Sequence, residues 1–120
     1  MIKTVWDLEV YKLSYEVAMK IFQVSKSFPK EKKYSLTDQI VRSSRSVVAN
    51  IAEGWGKRTY ELDFKKFLIY ASGSIEETKA WILFAKDCGY IDETVFNNII
   101  HDLATIGAKI FKLYDTWKSF

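Results

Sequence analysis

Few residues of this 120-residue chain are of types that do chemistry, and their spacing denies most of the chemistry they suggest. A di-iron bundle site needs two Glu-x-x-His motifs and two further glutamates, and the sequence has a single histidine, His101. A structural zinc site fails for the same want of ligands. Cys88 is the one cysteine; it permits no internal disulfide and reads as a small structural residue near a helix end. Ser43, Ser44 and Ser46 have no histidine partner and no Gly-x-Ser-x-Gly elbow. Inside a helix they would instead let a neighbouring helix come close. Glu76 and Glu77 are adjacent, so on a helix their carboxylates diverge by about 100° and cannot share a substrate. Neither a P-loop nor a Gly-x-Gly-x-x-Gly turn is present. The residues predict a non-enzyme with no metal, no cofactor and no small-molecule substrate.

The cations are the chemistry that remains. Lys57, Arg58, Lys65 and Lys66 cluster between two apolar periodic segments, with Trp55 and Tyr60 among them. Aromatic rings between basic residues are what single-strand binders use as stacking platforms. Arg42 and Arg45 would extend the charge along the preceding helix. A bundle would bring Lys3, Lys112 and Lys118 to the same end, and Lys30, Lys32 and Lys33 form a second group at the other. Residues 26–66 carry ten basic and five acidic side chains, although the whole chain is only +3. That asymmetry suits an anionic partner, RNA or DNA. Solvated helix ends rich in lysine are the plainer reading of each cluster taken alone.

A second polar set lies in "QIVRSSRSVVANIAEGWGKR", residues 39–58. At helical spacing Gln39, Arg42, Ser46, Asn50 and Glu53 share roughly 80° of arc, beside the apolar Leu36, Ile40, Val47 and Ile51. Gln39, Ser46, Asn50 and Glu53 read as a structural polar seam that fixes register, against helix three near Ser74 and Glu77 or against a neighbouring subunit. A ligand site is the alternative.

These residues must be positioned by helices. A 48% apolar composition with one proline and five glycines predicts an all-α single domain over 1–120, with long uninterrupted helices. The first should start near Thr4-x-x-Asp7 and stop before Phe28-Pro29, after which KEKKYS forms a loop. The second should run from a Ser35 cap to a stop at Gly54, the third from Thr59 to Gly89, and the fourth from Asp92 almost to Phe120. Short loops make this an antiparallel up-down-up-down four-helix bundle.

Helix four has one apolar face, but helices one and three have two each. On helix one, Leu8, Tyr11, Tyr15, Ala18, Met19 and Phe22 oppose Val10, Leu13, Val17, Ile21 and Val24. On helix three, Phe64, Phe67, Leu68, Ala71, Ile75 and Ile82 oppose Leu62, Ile69, Gly73, Ala80 and Leu83. A helix apolar on both sides is buried on both sides, so an obligate homo-oligomer is expected. Its interface would use Val10, Leu13, Val17, Ile21 and Val24 with Leu62, Ile69, Gly73, Ala80 and Leu83. Two different surfaces on a bundle diagonal favour head-to-tail contact closing into a ring; a two-fold dimer is the simpler alternative. No signal-peptide pattern or membrane-length apolar run is present, and the lone cysteine suits a reducing compartment, so a cytoplasmic protein is expected.

Over nearly its whole length the sequence resembles the 23S rRNA intervening-sequence proteins, also labelled S23 ribosomal proteins. The resemblance rests on Leu36, Asp38-Gln39, Arg42-Ser43, Asn50-Ile51-Ala52-Glu53-Gly54, Phe67-Leu68, Ala71-Ser72-Gly73-Ser74 and Glu76, flanked by Phe28-Pro29-Lys30-Glu31 and Gly89-Tyr90-Ile91. Arg45 departs from the pattern, where a small or apolar residue is expected. The resemblance implies a four-helix bundle assembled as a homopentamer. The group also includes the accessory protein of diversity-generating retroelements, a basic pentameric barrel that binds nucleic acid and a reverse transcriptase. The label "ribosomal" reflects gene location, not a ribosomal subunit. The function expected is a non-catalytic oligomeric scaffold that binds nucleic acid; a protein-interaction adaptor docking a partner such as a reverse transcriptase is the alternative.

Overall fold

The computed structural model describes residues 1–30 and 35–118. After a 3-10 turn at Val5–Asp7 come four helices, α1 (Glu9–Ser25), α2 (Leu36–Gly56), α3 (Glu61–Asp87) and α4 (Glu93–Thr116). No strand occurs among the described residues. Lys32 and Lys33, and most of the expected KEKKYS loop, lie outside them.

Capping chemistry sets several boundaries. The backbone N–H groups of Thr4 and Lys3 donate to Asp7 Oδ2 at 3.0 and 2.9 Å. These two bonds, Thr4's first, hold the Asp7 carboxyl below its ordinary value of 3.8. The helix expected from Thr4 is therefore split, with the turn closing on Asp7 before α1 begins at Glu9. Ser35 Oγ accepts from the Asp38 N–H at 3.3 Å, and Asp92 Oδ1 from the Val95 N–H at 2.8 Å. At the end of α3, Gly89 takes φ of 78°. The Tyr90 N–H then reaches Ala85 O and the Gly89 N–H reaches Lys86 O, which satisfies two terminal carbonyls.

Gly54 does not stop α2, which continues to Gly56. It is a close-approach residue: a Cβ there would stand 2.7 Å from Phe67 Cβ and 3.3 Å from a ring carbon of Phe64. Nor does Thr59 cap α3; Tyr60 holds that position, in an extended conformation.

Each helix packs on its sequence neighbours and α4 closes on α1. The antiparallel sense shows in the cross-links. Lys20 Nζ meets Asp102 Oδ2 at 2.6 Å and Lys109 Nζ meets Glu9 Oε1 at 3.0 Å, so α1 and α4 run oppositely. The core is a single apolar column through Ile21, Ile40, Ile51, Phe64, Ile75, Ile99 and Leu103, all essentially inaccessible. Fully burying such a side chain stabilises the fold by about 1.5–3 kcal/mol. No helix among the described residues is long and apolar enough to cross a membrane.

The core corrects the expected interface on α1. Val10, Val17 and Ile21 are buried within the single bundle, and Leu13 and Val24 pack against the same core. They cannot be the outward stripe. Tyr15 and Met19 are exposed instead, with Tyr11 and Phe22 half-buried. Ser14, Ala18 and Ser25 flank the valines and face inward too, so small residues sit where α1 meets its neighbours. On α3 the outward residues are Leu62, Ile69, Gly73, Ala80 and Leu83. On α4, Phe111 is also exposed, outside the single apolar face expected of that helix.

Candidate nucleic-acid interface

The polar stripe of α2 lies against α3. Ser46 Oγ and Ser74 Oγ are 2.9 Å apart, and Asn50 Nδ2 donates to Ser46 O at 2.9 Å and to its Oγ at 3.1 Å. One turn further, the Ser43 and Thr78 hydroxyls are 2.9 Å apart in a fully buried position, and Thr78 also donates to Ser74 O at 2.7 Å. Arg42 pairs with Glu77 and donates from Nη2 to Gln39 Oε1 at 2.9 Å. Glu77 also accepts from Trp81 Nε1 at 3.0 Å. Ser46 and Asn50 thus belong to one network with α3 and Gln39 joins a separate one through Arg42, whereas Glu53 is exposed and makes no hydrogen bond or ion pair among the described residues. Trp81 and Thr78 were not read from the sequence. Their spacing of four residues from Glu77 and from Ser74 places them on the same helical face, which is the signal that could have found them.

The cations do not form one surface. Arg42 is spent in the α2–α3 network. Arg45 lies with Lys26 about the Phe22 ring, at 5.3 and 4.9 Å from its centroid, between α1 and α2. Twelve residues of helix separate Arg45 from Lys57, roughly 18 Å along the axis. Lys65 is largely covered: its ammonium lies 5.1 Å from the Tyr114 ring and 3.6 Å from Glu61 Oε2, and its side chain is 15% exposed.

Three of the expected residues do share the α2–α3 junction. Lys57 and Lys66 both stand 5.7 Å from the centroid of Phe67, one ammonium from the residue that follows α2 and one from α3. The Arg58 guanidinium lies 4.2 Å from the Trp55 ring, and its Nη1 donates to Trp55 O at 2.9 Å. Trp55 is not a stacking platform for bases: it is buried in edge contacts with Phe64 and Trp117 at centroid distances of 6.3 and 6.0 Å. Tyr60, by contrast, is well exposed beside the lysines. Lys57 and Lys66 have no carboxylate partner among the described residues. No group of three or more His, Cys, Asp or Glu among the described residues could hold a metal ion.

The profile of the 23S rRNA-intervening sequence proteins matches residues 6–112. The chain belongs to that family. Among solved structures, the chain is similar to a protein of unknown function from the S23 ribosomal protein family of Bacteroides thetaiotaomicron VPI-5482. The two chains are 28% identical, with a TM-score of 0.80 over 89% of this chain and 99% of that one. No curated protein matches the sequence.

Proposed function

We propose that this protein is a non-catalytic, ring-forming scaffold of the cytoplasm that binds nucleic acid through a basic end face repeated once per subunit. The observation that carries the reading is the junction of α2 and α3, where Lys57 and Lys66 are exposed about one aromatic ring without a carboxylate partner among the described residues. Such ammonium groups can exchange water for phosphate and release condensed counterions as they do so. Arg58, whose guanidinium lies over the Trp55 ring, adds a planar cation with several donors. Lys3, Lys112 and Lys118 are exposed and belong to the chain ends that meet at this end of the bundle. One subunit supplies few contacts. A ring, five-fold by the family resemblance, multiplies them, and affinity and salt dependence rise together.

The test is fluorescence anisotropy of a labelled structured RNA and its DNA counterpart at several salt concentrations. The reading expects sub-micromolar binding at physiological salt with a steep slope of log affinity against log salt. A protein-interaction adaptor is the second reading, favoured by the exposed apolar groove beside Tyr15 and Met19. Its signature is nucleic-acid binding that vanishes by physiological salt.

A further inference from the structure

Two apolar grooves lie on opposite long sides of the bundle. One, about 400 Å³, runs between α1 and α2 past Tyr15, Met19, Ala49 and Ala52, and Arg45 is the one charged residue lining it among the described residues. The other, about 200 Å³, runs between α3 and α4 and is bordered by the exposed Ile69 and Phe111.

Their heights along the bundle agree. Ser46 is level with Ser74 and Gly54 with Phe67, so Ala49 and Ala52 stand level with Ser72 and Ile69 at the common rise of about 1.5 Å per residue. Lys65 is level with Tyr114, which brings Phe111 to the height of Ile69. The same count sets Arg45 on one side level with Glu76 on the other.

We propose that the two sides are halves of one contact, in which the Ile69–Phe111 ridge of one copy seats in the α1–α2 groove of the next and Arg45 meets Glu76 of that neighbour. This rests on the oligomeric part of the reading above and names its surfaces. Three features select a second copy as the occupant. Gly73 and Ala80 leave the outer face of α3 low between its larger residues, and Ala49 and Ala52 do the same for the groove, which lets helices approach closely. The charges are complementary: the groove's charged residue is Arg45, and the ridge carries Glu76, whose side chain is 72% exposed. The existing Glu76–Lys79 pair at 3.1 Å is a surface pair that exchanges at little cost. Finally, equal height means that parallel copies meet without an axial step, which closes a ring where an offset would build a filament. Arg45 therefore acts between subunits, not on phosphate.

Light scattering on a sizing column at micromolar concentration tests the assignment, with circular dichroism to establish that each variant is folded. Wild type should be a closed oligomer. Ile69→Lys with Phe111→Lys (ridge variant) and Met19→Lys with Ala52→Lys (groove variant) should each be a helical monomer. Mixed one to one, they should form a heterodimer through the single intact contact. Arg45→Glu or Glu76→Arg should weaken assembly roughly tenfold, and the double charge swap should restore most of it. The assignment is overturned if the ridge variant assembles like wild type, if the mixture stays monomeric, or if the double swap is no better than the singles. A monomeric wild type overturns the oligomeric reading as well. An oligomer indifferent to these substitutions overturns only the choice of surfaces.

Discussion

Single side chains in this bundle fall into two energetic groups, those that complete the fold and those left over for a partner. Ser14 is an outlier in the first group. Its hydroxyl is fully buried and has no hydrogen-bond partner among the described residues. An unpaired buried hydroxyl is a liability of about 1 kcal/mol or more, and alanine is the better helix former. Ser14→Ala should therefore raise stability by about 1 kcal/mol in urea titration; a destabilised variant would show that the oxygen has a partner in solution. Asn50 is the converse. Its amide completes the Ser46–Ser74 link, so Asn50→Ala should lower stability by about 1 kcal/mol and leave nucleic-acid affinity unchanged. Intact melting and assembly with abolished binding would make the α2 stripe a ligand site and not a seam.

At the level of elements, the helices and their caps were largely legible because the signals are local. Asp7, Ser35, Asp92 and Gly89 each act within a few residues of themselves. Gly54 was not. A glycine near the end of a helical pattern looks like a stop, and only the arrival of Phe67 from α3 makes it a contact point. Gly54→Ala should lower stability by about 1–3 kcal/mol, since the new methyl would meet Phe67 Cβ, an atom next to backbone with little freedom to yield. Equal urea midpoints for variant and wild type would refute that. The choice between the two stripes of α1 was likewise not local. Helical spacing fixes the angle between Val17 and Tyr15 but not which of them faces in. Small residues beside the valines decided it, because Ser14 and Ala18 let α1 lie close to the bundle.

For the whole molecule, the cluster of cations read from sequence was real only in part, because sequence proximity does not reveal which charges are already engaged. Arg42 is committed to Glu77, Arg45 to the α1–α2 groove, and Lys65 to Glu61 and Tyr114. Lys57 and Lys66 stand at the junction without a carboxylate partner among the described residues, at the end of the bundle where the lysines of the chain ends also lie. The most direct measurement is the salt dependence of RNA binding for wild type, for Lys57→Gln with Lys66→Gln, and for Lys65→Gln. The double variant should bind more weakly at physiological salt, with the slope shallower by roughly 1.4 or more. Lys65→Gln should alter stability more than slope, because its charge is already covered. A double variant with the affinity and slope of wild type would contradict the account, since no nucleic-acid surface would then lie at the α2–α3 end.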